Sequence, residues 1–300
     1  MYGCSEKILL DNAYSAWSSA IRCCEALLAG KATLQIRKDF VSNLQNAVEL
    51  FMKQIMLDKM DFRVAVVKNG KDDGEPAKSY YNAADLNAFF EQADDDTAKH
   101  FYSIEFNEII KLHRKVLDGY LGVNQTFKPV LELLAKLRNS ETHFYIKANQ
   151  FLNDNEFMEL HNFMVEFYKV MEHFNLLPYW GEPTREHRHL KFDKTPLTSF
   201  SYVAVLRDIP LVKKIAVEAD RLCYMNYPGG SAFCIANALY SVAIDDFEES
   251  FDEVWAYVEV LDQFGMISIE DDSFEHEGFD DGYRHIDSYM EYNYYIHINL

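Results

Sequence analysis

The sequence predicts a mainly α-helical protein, in which an N-terminal antiparallel helical bundle precedes a smaller α/β domain. Two observations predict this fold class. Up to about residue 174, apolar residues recur at intervals of three and four over long stretches that end at Gly, Pro or capping residues. After Pro183 the helical stretches become short, and alternating apolar residues appear near the C-terminus. A chain of 300 residues is long enough for two cores of ordinary size.

The first two helices of the bundle are predicted at residues 5–29 and 32–60. The first ends at Gly30, since glycine commonly terminates helices. The second carries one apolar stripe, which predicts a face buried in the bundle. The stripe consists of Phe40, Leu44, Ala47, Val48, Phe51, Ile55 and Met56. Residues 68–79, KNGKDDGEPAKS, are rich in Gly, Asp and Lys and predict a loop.

Three more helices complete the predicted bundle. The third begins at the capping residues 94–97 and runs through residue 101 to about residue 118. The fourth covers residues 125–149. The fifth begins at Asn153-Asp154 and ends near Phe174. The bundle is therefore predicted to occupy residues 1–177 and to be followed by a linker at residues 178–197, a stretch that contains several Pro and charged residues.

The remaining residues, 198–300, predict a small acidic α/β domain. Its first element, TSFSYVAVL at 198–206, is rich in β-branched and aromatic residues and predicts a strand. Short helices are predicted at 211–223, 231–243 and 251–264, and Ser250 with Glu253 forms a capping-box pattern at the last one. Apolar alternation at 266–269 and 292–300 predicts two further strands. Three helices followed by a two-stranded ribbon is an order of elements typical of a winged-helix domain.

Composition and cysteine usage favour a folded cytoplasmic protein. Half of the residues, 49%, are hydrophobic and 15% are aromatic, which excludes a disordered chain. The five cysteines form no CxxC pair and are odd in number, so reduced thiols are expected. The N-terminal residues lack the pattern of a signal peptide, and no run of eighteen apolar residues predicts a membrane span.

The charge of the chain is strongly negative and unevenly distributed. The net charge is −19, which argues against broad, nonspecific nucleic-acid binding. Residues 1–175 hold 20 Lys and Arg against 25 Asp and Glu, whereas residues 176–300 hold 9 against 23. Residues 245–291 alone hold 17 acidic residues and a single basic one, Arg284. The C-terminal domain is therefore expected to contact protein rather than DNA, and the bundle can still carry a local basic groove.

The residues with the most distinctive chemistry lie in the fourth predicted helix, at 137–145, LRNSETHFY. Arg138 provides a permanent, forked cation suited to phosphate, and His143 suits proton transfer near neutral pH. Asn139 lies four residues before His143 and shares its helix face, where its amide can orient the ring. Arg138 and His143 lie roughly 140° apart on an ideal helix, so they do not share a helix face. Both can border one groove only if the helix lies along the floor of that groove or if two copies of the chain face each other.

A purely structural interpretation of the same residues is also open. Arg138 can pair with Glu141 at i,i+3, and His143 can be a partly buried helix histidine. The spacing is not specific by itself in a chain with ten Arg and ten His. A second candidate, His187 and His189, has no further ligand at metal-binding spacing and reads as linker. No metal or cofactor is therefore expected.

The stretch from Arg138 to His143 resembles the Arg-x4–6-His motif of the HEPN superfamily, in which Asn, Asp or His typically follows the Arg. Asn139 fits this pattern, and the resemblance covers about residues 1–175. It implies a HEPN-like bundle and a metal-independent endoribonuclease that acts as a toxin or in phage defence and abortive infection. It also implies a homodimer whose two motifs form one RNA-binding cleft, with Arg138 and His143 catalytic and Asn139 supporting them.

Tyr145 extends the resemblance to HEPN toxins that are paired with MNT nucleotidyltransferase antitoxins. In those toxins the Tyr of Arg-x4-His-x-Tyr is the site of inhibitory AMPylation, which implies regulation through Tyr145 and a nucleotidyltransferase partner. This chain departs from them in its length and in its acidic C-terminal domain. The alternative function is a non-catalytic HEPN-fold interaction protein, whose acidic domain docks a partner or mimics nucleic acid.

Overall fold

The computed structural model describes residues 3–67, 84, 88, 101–142, 152–177, 190, 192–214, 217, 251–271, 274–277, 288–291 and 294–298. Across these residues the protein is mainly helical, as the apolar periodicity predicts. None of the described helices is both long and apolar enough to cross a membrane. The chain divides into two compact units, of which the first comprises Met1–Glu25 and Arg37–Phe200 and the second comprises Ala26–Ile36 and Ser201–Leu300.

Five described helices form most of the first unit, and the end of the first helix and the beginning of the second are counted with the second unit. They confirm four of the five predicted helices in position and length to within a few residues, apart from the C-terminal part of the fourth, which lies outside the described residues. The five helices are α1 (Gly3–Leu28), α2 (Leu34–Asp58), α3 (Phe106–Val116), α4 (Lys128–Thr142) and α5 (Asp154–His173).

An aromatic cluster centred on Trp17 joins the helices of the first unit. The indole of Trp17 is fully buried, and its centroid lies 6.4 Å from that of Phe51 and 6.1 Å from that of Phe167. A third ring, Phe192, meets it edge-on at 6.3 Å. Ring pairs at such distances add to the large area that each aromatic side chain buries. Trp17 therefore holds α1 against α2, α5 and the segment that follows α5.

The apolar stripe predicted on the second helix is confirmed as its core face. All seven of its residues are at most 1% exposed. Burial of α2 extends beyond this stripe, however, because several polar residues are also buried: Arg37, Gln45, Lys53 and Gln54. A helix that buries polar side chains on a second face must place them near hydrogen-bond partners or near a site that supplies them.

The third helix begins later than the sequence predicts, and this prediction was wrong at its N-terminal end. Residues Phe101–Ser103 form strand β2, which pairs antiparallel with strand β1 (Ala65–Val67). The helix begins at Phe106, with Glu105 as its N-cap. The β-branched residues of β1 and the aromatic residues of β2 favour strand pairing over helix formation. Local periodicity does not show this, because β1 lies more than thirty residues before β2 in the sequence.

The start of the fifth helix is confirmed in detail. Asn153 is the N-cap, and its side chain accepts a hydrogen bond of 3.0 Å from the backbone N–H of Glu156. The Glu156 carboxylate in turn accepts one of 3.0 Å from the backbone N–H of Asn153. This reciprocal capping box satisfies two N–H groups that the helix itself leaves without partners.

The described part of the predicted linker at 178–197 belongs to the first unit. Residues 178–189 and 191 lie outside the described residues, whereas Leu190 and Phe192 are buried. The Asn162 side chain of α5 donates to the carbonyl of Leu197 at 2.9 Å and accepts from its N–H at 2.7 Å. Residues up to Phe200 therefore belong to the first unit, because their backbone groups find partners on α5.

In the second unit, the strand predicted at 198–206 was wrong. Residues Tyr202–Asp208 form a helix, α6, with Ser201 as its N-cap. Tyr202 and Leu206 are fully buried one turn apart, so burial of one helical face outweighs the β-propensity of the local sequence. Residues 210–214 are also helical, and most of the other two short helices predicted before residue 250 lies outside the described residues.

The described part of the second unit also contains a helix and four strands, of which the helix and the first and last strands were predicted, whereas the two inner strands were not. Helix α7 spans Phe251–Gln263 and is followed by Gly265 at φ 66°, the left-handed conformation that glycine adopts readily. The ribbon has four strands: β3 (Ile267–Asp271), β4 (Phe274–Glu277), β5 (Ser288–Glu291) and β6 (Tyr294–Ile298). β3 pairs antiparallel with β6 and β4 with β5, and both ladders share one register.

Replacing the N-cap of α5 tests the capping box. We expect Asn153→Ala to lower the free energy of unfolding by about 1 kcal/mol, because an N–H of the first turn loses its acceptor. The matched control is Asn155→Ala, two residues into the same helix, where Ala is the better helix former. Urea unfolding followed by circular dichroism measures both. An equal loss in the two variants would contradict the capping role of Asn153.

The stability of the first unit is expected to fall in mild acid because of His161. Its ring is 3% exposed, its Nδ1 has no partner among the described residues, and Phe192 lies 5.2 Å away. Burial lowers the pKa of His161, against the opposing effects of Asn162 and Asp193. The unfolded chain therefore binds the proton first, so this contribution to stability is present above about pH 6.5 and is lost as the pH falls.

The measurement compares wild type with His161→Phe by urea unfolding at pH 7.5 and pH 5.5. We expect the wild type to lose more stability between these two values than the variant does. Because every other titrating group is shared, the difference between the two slopes isolates His161. Identical slopes would show that His161 titrates alike in the folded and unfolded chains.

Candidate functional site

The helix that carries the sequence motif is anchored by one apolar face. On α4, Val130, Leu131, Leu134 and Leu137 are buried at intervals of one, three and three residues. This spacing fixes the rotation of the helix about its own axis, because the apolar face must point into the core. It leaves Arg138 and Asn139, the two residues after Leu137, exposed to solvent.

Arg138 and Asn139 line an open pocket of about 270 Å³ within the first unit. Three helices form it, so side chains far apart in the sequence meet there. Its lining residues are Gln45 and Glu49 of α2, Glu105, Phe106 and Asn107 at the start of α3, and Ala135, Arg138 and Asn139 of α4. The structure therefore brings together two of the predicted site residues and adds groups that the motif did not indicate.

The N-terminus of α3 gives this pocket a partly positive wall. The N-cap is Glu105, whose side chain makes no capping hydrogen bond. Its carbonyl accepts from the N–H groups of Glu108 and Ile109, at 3.0 and 3.2 Å. Among the described residues, no partner is found for the N–H groups of Phe106 and Asn107. Free N–H groups and the helix dipole favour an anion at such a terminus.

The charged side chains around the pocket differ in whether they form ion pairs. No carboxylate among the described side chains lies within ion-pairing distance of Arg138, and the side chain of Glu141, its proposed structural partner, is outside the described residues. Glu49, by contrast, forms an ion pair of 2.6 Å with Lys53. Lys136, next to the motif, lies 3.9 Å from Glu156. Arg138 is thus exposed, cationic and positioned to bind an anion in the pocket.

Gln45 is the most unusual residue of the lining. It is 3% exposed, and its Oε1 is buried with no hydrogen-bond partner among the described residues. A buried carboxamide oxygen without a partner costs about 1–3 kcal/mol. Such a group is uncommon in a folded protein, and only a donor, for example an ordered water, can supply its missing hydrogen bond.

Some of the residues singled out in the sequence lie outside the part of the chain that the structure describes. His143 and Tyr145 follow the described end of α4, and His187 and His189 fall in the predicted linker; all four lie outside the described residues. Among the residues that are described, no group of three or more His, Cys, Asp or Glu side chains is arranged to hold a metal ion.

One pattern in the sequence is an indirect sign of the residues that the motif missed. Gln45, Glu49 and Lys53 recur every four residues along α2, which places three polar groups on one side of a helix whose apolar stripe is buried in the core. Glu105, Phe106 and Asn107 gave no such sign, because the start of α3 was itself predicted wrongly.

Comparisons with protein-family models, with curated proteins and with solved structures give no match. The pocket around Arg138 is therefore the main indication of function. Its lining combines the exposed Arg138, the side chains of Asn107 and Asn139, and the start of α3, where the N–H groups of Phe106 and Asn107 have no partner among the described residues. This set of donors suits the oxygens of a phosphate or another oxyanion.

Replacing Gln45 tests whether its carboxamide lacks a partner in the free protein. We expect Gln45→Leu to raise the free energy of unfolding by about 1 kcal/mol, because the buried unpaired oxygen is removed. The control is Gln54→Leu on the same helix. Gln54 is equally buried and its Oε1 also has no partner among the described residues, but its Nε2 donates to Asp58 at 2.8 Å, so its replacement also loses a hydrogen bond and gains less. A loss of stability in Gln45→Leu would contradict this account.

Proposed function

We propose that the protein is a metal-independent endoribonuclease of HEPN type, a toxin or phage-defence effector, whose Arg138 pocket binds the phosphodiester to be cleaved. The observation that carries the proposal is the exposed Arg138 in an open pocket at the N-terminus of α3. Arg138 and Asn139 also belong to the motif that resembles HEPN nucleases, so the sequence and the geometry favour the same residues.

The chemistry of the proposal assigns each group a role. As the 2′-oxygen attacks phosphorus, negative charge develops on the phosphate oxygens. Arg138 stabilises this charge as a bidentate donor, and the N-terminus of α3, which lines the same pocket, favours an anion there. His143 transfers a proton to or from the reacting oxygens. Asn139 orients the phosphate or the imidazole.

The local charge of the first unit permits this role despite the acidity of the whole chain. Residues 1–175 carry a net charge of −5 from 20 basic and 25 acidic residues, out of −19 for the chain. In the pocket, Lys53 neutralises Glu49 at 2.6 Å, so Arg138 faces one carboxylate fewer. A short RNA segment can therefore bind there without the broad basic surface that nonspecific binding needs.

The proposed enzyme is a homodimer. Arg138 and His143 are five residues apart, and an ideal helix would place them on different faces. Two copies facing each other would bring one protomer's Arg138 and its partner's motif to a single cleft. Tyr145, two residues beyond His143, is the proposed site of inhibitory AMPylation by a partner nucleotidyltransferase, because added phosphate would repel RNA.

The acidic C-terminal residues favour a second candidate function, a non-catalytic interaction protein. Of the 17 acidic residues of 245–291, four precede α7 and the others fall on α7, on the strands that follow it or between these elements in sequence, against one Arg. A helix followed by a ribbon fits the proposed winged-helix domain. Its strong negative charge suits docking to a basic protein partner rather than to DNA.

Cleavage of RNA in EDTA tests the proposed enzyme. We expect wild type to cleave, and Arg138→Ala and His143→Ala each to lose at least about 100-fold in rate, since charge stabilisation and proton transfer are each worth that much. The matched control is Arg114→Ala. Arg114 is an exposed arginine of the same unit, which donates to the carbonyl of Val123 at 2.6 Å and lies outside the pocket lining.

Each other outcome contradicts the proposal in a distinct way. Equal cleavage by wild type and Arg138→Ala, with both folded, would remove this pocket from the reaction. Absence of cleavage by wild type, at protein concentrations that populate a dimer, would favour the interaction protein.

A further inference from the structure

We propose that Glu49 is the general base of the proposed ribonuclease. This inference rests on the proposed function and adds a catalytic residue that lies outside the sequence motif. Glu49 is on α2, about ninety positions before Arg138, and the two side chains line the same open pocket. A carboxylate that borders the phosphate-binding groups is placed to take a proton from the 2′-hydroxyl of bound RNA.

The Glu49 carboxylate is held in a fixed position. The Lys53 ammonium donates to its Oε1 at 2.6 Å and to the Ser103 hydroxyl at 2.9 Å. The Lys53 side chain is only 6% exposed, whereas that of Glu49 is 18% exposed, so the cation is enclosed and the carboxylate reaches the pocket. A buried orienting group behind an accessible reacting group is the arrangement that catalytic side chains require.

The helix beneath Glu49 reinforces this position. α2 is buried along most of its length, and Val48 and Met52 beside Glu49 are fully buried. The backbone of Glu49 therefore cannot shift without disturbing the core. The Lys53 charge also offsets that of Glu49, which lets a phosphate approach Arg138 in the same pocket.

The pocket contains one other carboxylate, that of Glu105, and its surroundings differ. Glu105 is the N-cap of α3, is exposed, and makes no side-chain hydrogen bond to the helix. No ion pair among the described side chains holds it in place. Of the two carboxylates, the geometry thus favours Glu49 as the base.

The proposed step balances without a co-reactant. The Glu49 carboxylate takes the proton of the 2′-hydroxyl, and the 2′-oxygen forms a bond to phosphorus while Arg138 stabilises the phosphate oxygens. The bond from phosphorus to the 5′-oxygen breaks, and that oxygen takes a proton from protonated His143. The products are a 2′,3′-cyclic phosphate and a free 5′-hydroxyl, and the two side chains exchange their protons with water.

The experiment separates the carboxylate from the ion pair. Glu49→Gln removes the base but leaves Lys53 buried without its partner, which destabilises the fold. Lys53→Met removes the cation and keeps the carboxylate. The double variant Glu49→Gln/Lys53→Met removes both charges and leaves no unpaired buried ion. Glu132→Gln, an exposed glutamate of α4 outside the pocket, is the matched control.

Single-turnover cleavage and binding of an uncleavable RNA, with 2′-deoxy at the cleaved position, are measured on every folded variant. We expect the double variant to cleave at least about 100-fold more slowly than Lys53→Met and to bind the uncleavable RNA within about threefold of it. Glu132→Gln should cleave like wild type. A loss of rate without a loss of binding identifies proton transfer rather than a structural defect.

Two results would overturn the inference and leave the proposed function intact. One is cleavage by the double variant at the rate of Lys53→Met while Arg138→Ala remains inactive. The other is a loss of at least about 100-fold in Glu105→Gln with none in the Glu49 variants, which would make Glu105 the base. If wild type does not cleave, or cleaves no faster than Arg138→Ala, the proposed function itself fails.

Discussion

Burial of α2 on nearly every side is the constraint on which the first unit depends. Its apolar stripe forms the core with Trp17 of α1 and Phe167 of α5, and this alone would make an ordinary bundle helix. Because the other side of α2 is also covered, the polar residues there cannot turn to solvent. The Oε1 of Gln45 has no partner among the described residues, while the Lys53 ammonium donates to Glu49 and Ser103. The features of the pocket thus arise where a fully packed helix must accommodate polar groups.

The long helices were predictable from sequence because each signal was local. Gly30, at φ 82°, and the Asn153 cap mark helix ends through the conformation and hydrogen bonding of a few residues. The two errors arose where a distant partner decides the structure. Strand β2 exists because Ala65–Val67 pairs with it, and α6 is stabilised because it buries Tyr202 against the distant Phe264, with the ring centroids 5.2 Å apart. Neither partner is visible in a window of ten residues.

The same distinction between local signals and distant contacts applies to the residues of the candidate site. Arg138 and Asn139 could be selected from sequence because they are adjacent on one helix and match a known pattern. Gln45, Glu49 and the start of α3 reach the same pocket only through packing of three helices. Their presence in one pocket therefore follows only from the three-dimensional structure. A polar residue recurring every fourth position on a buried helix was the available clue, and it became informative once α2 was known to be buried on both sides.

The turn between α1 and α2 is counted with the second unit, since Ala26–Ile36 groups with Ser201–Leu300 rather than with the helices on either side of it. The second unit is therefore discontinuous in sequence, and the chain must pass through it twice. During synthesis, residues 26–36 emerge long before the residues they will join. Contacts of such sequence separation form late and slowly, so the second unit assembles only after residues 201 onward have been synthesised. This connectivity delays the assembly of the second unit until well after the helices of the first unit have been made.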